Sequence, residues 1–197
     1  MKMAALDRYR RNPFLHNAPL PVEVVFHPSW WHRHAGLSFD EDFFYHPVRR
    51  IEGERAMERV LYGKFGDLGL GEDRDRDLPV IGPVHNAAGY LISEMLGCRV
   101  EYREADPPQV FPAGRDDLSI DVEAAFAGGA FQKLKNLVDA LKRTHGRTVG
   151  DVNWGGQLNL ALDVRGQAIF LDMLHRPREA RAFIGQIARV IARFTEY

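Results

Sequence analysis

The chain has one cysteine, no long apolar run and no excess of charge of either sign. Cys98 stands alone among 197 residues, which excludes a disulfide framework, a Cys-x-x-Cys redox pair and a cysteine-rich zinc site. No apolar run approaches the roughly 20 residues of a membrane-spanning helix, and residues 1–10 lack the apolar stretch of a secretion signal. We therefore expect a cytoplasmic protein with no membrane partner.

The charge balance excludes a second class of partner. The chain carries 26 basic and 27 acidic residues, a formal charge of -1, and so lacks the basic surface of a nucleic-acid-binding protein. Because 45% of the residues are hydrophobic, the chain can bury a sizeable core. We expect residues 1–197 to form a single domain that binds small molecules or other proteins.

The apolar pattern predicts an α/β protein. Short apolar segments predict strands at residues 22–26, 78–81 and 148–152, with an edge strand at 100–102. Helical patterns cover residues 4–11, 48–62, 87–96 and 131–141. Strands that alternate with helices favour parallel β/α units, and three such strands are too few to close a barrel.

Local signals place further helices. Ser38 and Glu41 have the spacing of a capping box, which predicts a short helix there, whereas residues 105–119 read as a long irregular connection. Pro177 suits a helix start, and an apolar stripe at helical spacing follows it. That pattern runs into residues 195–197 without Gly, Pro or Asn, so we expect the chain to be the front part of something larger.

Parallel strands would bring three polar segments together. The loops at the C-terminal ends of parallel strands lie on one face, which would gather residues 30–36, 85–89 and 153–159. This inference depends on topology alone, since the chain shows no catalytic triad and no metal signature.

Arg33 is the strongest candidate in these segments. A guanidinium beside aromatic and imidazole groups suits a carboxylate or phosphate through bidentate hydrogen bonds. The alternative is that Arg33 forms an ion pair with an acidic side chain such as Asp40 or Glu41. His32 and His34 would share one side of an extended segment and could ligate a metal, but no third ligand is placed by spacing, so we assign no metal site.

The histidine, tryptophan and cysteine candidates each have a structural role as the alternative to a functional one. His85 follows a predicted strand and could act as a base, or it is a hydrogen-bonded turn residue. Trp30, Trp31 and Trp154 could wall an aromatic pocket, or they belong to the core. Cys98 is interpreted as a small core residue.

Several motifs resemble one enzyme family. Residues 31–36, Trp-His-Arg-His-Ala-Gly, are similar to a Trp-x-x-Arg-Gln-Ala-Gly signature with one intervening residue fewer. Residues 94–100, 150–166 and 172–177 resemble a helix ending in Leu-Gly, a third strand with its helix, and an Asp-x-Pro helix start. These motifs resemble the uroporphyrinogen decarboxylase superfamily, whose (β/α)8 barrels decarboxylate tetrapyrrole acetates or move methyl groups to and from corrinoids and thiols.

The resemblance implies the N-terminal half of a (β/α)8 TIM barrel. It places Arg33 at the arginine that binds substrate carboxylates and His34 where the family has glutamine. With the convergent loops, it makes His85 the candidate catalytic residue. The candidate substrate-binding residues are Arg33, His34, Trp31, Asn86, Asn153, Trp154 and Asn159.

Two departures favour the methyltransferase branch. The family's decarboxylases carry an aspartate where this chain has residues 85–89 without an acid, and a tyrosine that is missing from residues 157–166. The resemblance places zinc ligands in the second half of the barrel, so zinc and corrinoid are expected only in the complete barrel and no cofactor within this chain.

We therefore expect corrinoid-linked methyl transfer on an anionic small molecule, with this chain alone inactive. One alternative is decarboxylation of a tetrapyrrole carboxylate, with His85 or Asn86 binding the substrate NH groups. Another is a non-catalytic subunit or interaction module, a homodimer or the partner of a complementary C-terminal half.

Overall fold

The computed structural model describes residues 25–74, 80–81, 90–150 and 155–197, and this part of the chain is mostly helical. The helices are α1 (Pro28–Ala35), α2 (Glu41–Tyr45), α3 (Pro47–Phe65), α4 (Tyr90–Met95), α5 (Val122–Ala127), α6 (Gly129–His145), α7 (Gln157–Arg165), α8 (Ala168–His175) and α9 (Pro177–Glu196). The strands are β1 (Val80–Ile81), β2 (Arg99–Glu101), β3 (Gln109–Phe111) and β4 (Val149–Gly150).

The described strands form two pairs. β1 runs parallel to β4, with Val80 opposite Val149 and Ile81 opposite Gly150. β2 and β3 are antiparallel, so the predicted edge strand has a partner inside the segment predicted to be irregular. The chain is therefore mixed α/β, and the half barrel stays a prediction.

The predicted elements near the N-terminus have different outcomes. The predicted helix at residues 4–11 and residues 22–24 of the first predicted strand lie outside the described residues. Val25 and Phe26, the last two residues of that predicted strand, are described and belong to no strand.

Residues 28–35 form a helix where we expected an extended segment and a loop. Pro28 occupies the first helical turn, and the ring of His27 caps it by accepting a hydrogen bond from the Ser29 N–H. Gly36 ends the helix with φ of 65°, a left-handed conformation that glycine adopts without strain. Residues two apart on a helix do not share a face, so His32 and His34 are not paired as the extended segment required.

The start of α2 also differs from the prediction. Asp40, not Ser38, is the N-cap, and its carboxylate accepts a hydrogen bond from the Phe43 N–H at 2.9 Å. The Ser38 hydroxyl donates to the same carboxylate at 2.9 Å. The capping-box spacing therefore predicted the short helix correctly, but its N-cap is Asp40 and not Ser38.

The core lies between the helices, and helical periodicity predicted the part of it that α6 and α9 contribute. The apolar stripe of α9, which includes Phe183, Ile187 and Val190, is buried against α5, α7 and α8. A continuous buried cluster extends from Trp31 and Phe44 through Leu91 and Leu160 to this stripe. α3 and α9 begin within a residue of their predicted starts, and each has a proline, Pro47 or Pro177, at its first position.

Candidate functional site

Arg33 lies on the last turn of α1 and is exposed. Its two sequence-predicted partners are engaged elsewhere, since Asp40 pairs with Arg49 at 3.2 Å and Glu41 pairs with Lys133 at 2.5 Å. Within the described parts of the chain, Arg33 forms no ion pair. Its guanidinium is therefore accessible to an anion from solvent.

The surroundings of Arg33 are aromatic and basic. His34 is exposed and its ring lies 4.5 Å from the ring of Trp30, which is half-buried. The His32 ring is 2.8 Å from the carbonyl oxygen of Leu37, just beyond the helix. Basic side chains at a helix C-terminus also complement the helix dipole, so part of this arrangement stabilises α1 itself.

Trp31 belongs to the core. It is 1% exposed, and its ring contacts Phe26 at 5.6 Å and Trp30 at 4.9 Å in edge-to-face geometry. Its indole Nε1–H is buried without a hydrogen-bond acceptor. Trp31 therefore packs the buried side of α1 against the core, while Arg33 and His34 are exposed to solvent.

The parallel pairing of β1 and β4 bears on the predicted loop cluster. Because Ile81 lies beside Gly150, the chain leaves both strands at the same edge. His85 and Asn86 follow β1, and Asn153 and Trp154 follow β4, but all four lie outside the described residues. Asn159 is exposed on α7.

The structure also shows a polar cluster that the sequence did not reveal. The Lys133 ammonium of α6 lies 3.0 Å from the Glu94 carboxylate of α4 and 2.5 Å from the Glu41 carboxylate of α2. The Tyr102 hydroxyl donates to Glu94 at 3.3 Å and lies 3.4 Å from the Tyr45 hydroxyl. We call these five residues the lysine–tyrosine cluster.

Burial and charge fix the protonation of the lysine–tyrosine cluster. Burial raises the pKa of both Tyr45 and Tyr102 well above the ordinary value of a phenol, so both stay neutral. Burial alone would lower the pKa of Lys133, but the adjacent Glu41 and Glu94 outweigh it and raise that pKa. The cluster links three helices; its members are far apart in sequence, so no local pattern could have indicated it.

Cys98 has the core position predicted for it. It is 4% exposed, and its thiol donates to the Asp163 carbonyl oxygen at 3.2 Å. The Ser93 hydroxyl donates to the Asp163 carboxylate at 2.6 Å. These contacts hold α4 against α7.

Among the residues that the structure describes, no group of three His, Cys, Asp or Glu side chains is placed to hold a metal ion. None of the described helices is both long and apolar enough to cross a membrane. No family model, curated protein or solved structure matches the chain.

Proposed function

We propose that this chain is the N-terminal half of a uroporphyrinogen-decarboxylase-like barrel and that Arg33 binds an anionic group of a small molecule. The observation that carries the proposal is the exposed Arg33 guanidinium, which has no carboxylate partner among the described residues. A permanently charged guanidinium with free donors suits a carboxylate or phosphate. His34, the next residue of α1, is also exposed.

The barrel architecture follows from the sequence resemblance, and the parallel pairing of β1 and β4 is compatible with it. Two parallel strands joined through helices are the elementary unit of a (β/α)8 barrel, and the resemblance assigns about half of such a barrel to this chain. Further units would come from a complementary C-terminal half or from a second copy in a homodimer.

For the complete barrel, in the cytoplasm, we propose corrinoid-linked methyl transfer, with zinc ligands in the second half. This chain would contribute anion binding by Arg33, and His85 as a proton donor or acceptor. The alternative, decarboxylation of a tetrapyrrole carboxylate, would use His85 or Asn86 to bind the pyrrole NH groups. The missing aspartate and tyrosine favour the first reaction.

Calorimetric titration with succinate and with a tetracarboxylate porphyrin tests the Arg33 proposal. We expect saturable binding of at least one anion, weakened about tenfold to a hundredfold in Arg33→Ala because a charge-assisted pair is lost. Arg189→Ala is the matched control, since Arg189 is also exposed and forms no ion pair within the described residues. Equal affinity in the Arg33→Ala protein and the wild type would contradict the proposal.

A further inference from the structure

Helix α8 turns its apolar side chains outward. Phe170, Leu171, Met173 and Leu174 are exposed, and Leu174 retains 75% of its accessible surface. Ile169 and the carboxylate-bearing Asp172 are buried on the opposite side. A contiguous exposed apolar face of this kind usually marks an interaction surface.

The rotation of α8 is fixed by charge. The buried Asp172 carboxylate lies 2.7 Å from the Arg165 guanidinium and 3.5 Å from the Arg176 guanidinium. Turning the apolar side inward would break both ion pairs and leave the Asp172 carboxylate without a charged partner, whereas Arg165 and Arg176 would keep Asp116 and Glu179. The outward face is therefore a stable feature of the folded chain.

The apolar face continues into a groove between α8 and α9. The groove is open to solvent, has a volume of about 250 Å³ and is lined by Met173, Pro177, Ala180, Arg181 and Ile184. Beside it, Gly185 lies in the interior of α9, and no described atom is within 4 Å of the position that a Cβ would occupy. Glycine costs about 1 kcal/mol in a helix interior, and here it leaves the backbone open to a close neighbour. We call this surface the α8–α9 groove.

The rim of the α8–α9 groove is positively charged. Arg178 and Arg181 are exposed one turn apart, and neither forms an ion pair with any described residue. The nearby acids are already engaged, since Asp172 pairs with Arg165 and Glu179 pairs with Arg176. Two arginines are thus available to an acidic occupant.

We propose that the α8–α9 groove binds an acidic amphipathic helix of a partner protein. The groove would accept apolar anchors at i, i+3, i+4 and i+7, while Arg178 and Arg181 pair with flanking carboxylates. A second copy fits less well, because a two-fold contact centred on the groove brings the same arginines together. The depression between the two helices accepts individual side chains, which favours a partner helix over a lipid surface.

The test uses a fluorescently labelled helical peptide of about 18 residues, five turns, with leucine and phenylalanine anchors and glutamate flanks. A matched peptide carries glutamine at every glutamate position. By fluorescence anisotropy, we expect saturable binding of the acidic peptide, at least about tenfold tighter than that of the glutamine peptide and weakened by salt.

Two sets of variants locate the binding site. Leu174→Asp should weaken peptide binding about tenfold or more, whereas Leu158→Asp, at an exposed leucine on α7 outside the groove, should not. The double variant Arg178→Glu/Arg181→Glu should lose the acidic peptide and bind a version with lysine flanks instead. Circular dichroism verifies that each variant keeps its helix content.

Four results would overturn the proposal. They are no saturable peptide binding, equal binding of the glutamine peptide, a dimer that Leu174→Asp dissociates in light scattering, and binding to phosphatidylglycerol vesicles in place of the peptide. The last two would assign the groove to a second copy or to a lipid surface. None of them affects the Arg33 proposal, because Arg33 lies on α1.

Discussion

At the scale of single residues, burial decides the chemistry of Cys98. The thiol lies in the core beside the Asp163 carbonyl oxygen, and burial raises its pKa to about 11. A thiolate is both the nucleophile and the metal ligand, so this residue is inert near neutral pH. Its position favours a structural role for Cys98.

We expect Cys98 to react slowly with iodoacetamide in the folded protein. With its pKa near 11, only about one thiol in a thousand is ionised at pH 8, and the rate should rise about tenfold per pH unit up to that pKa. Mass spectrometry after timed alkylation measures this rate. The urea-unfolded chain, with an ordinary thiol pKa of about 8.5, is the control. Equal rates in the folded and unfolded chains at pH 8 would contradict the assignment.

The sequence could indicate Arg33 but not its surroundings. Its residue type and aromatic neighbours predicted an anion-binding side chain. That Arg33 has no ion pair among the described residues follows from the engagement of Asp40 by Arg49 and of Glu41 by Lys133. Those pairings depend on how α2, α3 and α6 meet. They cannot be read from residues 30–41 alone.

At the scale of elements, α3 contains two glycines with opposite surroundings. A Cβ at Gly53 would lie 2.6 Å from Cε2 of Phe43, whose ring is buried and cannot easily move. A Cβ at Gly63 would meet no described atom within 4 Å. Gly53 is therefore required by the packing of α2 on α3, and Gly63 is not.

These two glycines make a matched pair for mutation. Gly63→Ala should stabilise the chain by about 0.5–1 kcal/mol, because alanine favours the helix. Gly53→Ala gains the same propensity but overlaps Phe43, and we expect a net loss of about 1–2 kcal/mol. Urea denaturation of both variants gives the two free energies of unfolding. Changes of the same sign would show that the contact with Phe43 does not decide the outcome.

The elements differ in how well the sequence predicts them. α3, α6 and α9 were predicted because each repeats apolar residues over several helical turns. α1 was not predicted, because its eight residues, with two tryptophans and two histidines, follow an apolar strand-like run and were interpreted as a loop. Its signals, Pro28 at the start and Gly36 at the end, were present but outweighed by the apolar run before them.

At the scale of the whole molecule, acidic side chains stabilise the fold by staying ionised. Hydrogen bonds from Arg115, Arg165 and Arg176 lower the pKa values of Asp117, Asp172 and Glu179 respectively. Partial burial would raise the pKa of Asp40, but hydrogen bonds from the Phe43 N–H and from Ser38, together with Arg49, lower it overall. Each of these carboxyl groups binds protons less readily when folded than when unfolded.

We expect acid to destabilise the protein through these groups. Since their folded pKa values lie below the ordinary 3.8 for Asp and 4.5 for Glu, their contribution is complete above about pH 5 and is lost as the pH falls. Thermal unfolding at pH 7, 5, 4 and 3 should therefore give a constant Tm and then a falling one.

Salt provides the control for this effect. Most of these pairs are exposed, so added salt should lower Tm at pH 7 slightly and reduce the difference in Tm between pH 7 and pH 4. A Tm that rises as the pH falls from 5 to 3 would contradict the assignment of lowered carboxyl pKa values.

The sequence by itself determined the mixed α/β composition, the long amphipathic helices and the core role of Cys98. All three depend on hydrophobic spacing and composition, which are local. Tertiary structure decided which charges are satisfied, since Lys133 reaches Glu41 and Glu94 across three helices. It also decided that the apolar face of α8 is exposed to solvent, because the ion pairs of Asp172 with Arg165 and Arg176 hold the orientation of this helix. An ion pair between residues that are distant in sequence leaves no periodic pattern from which it could be predicted. It is therefore visible only in the folded chain.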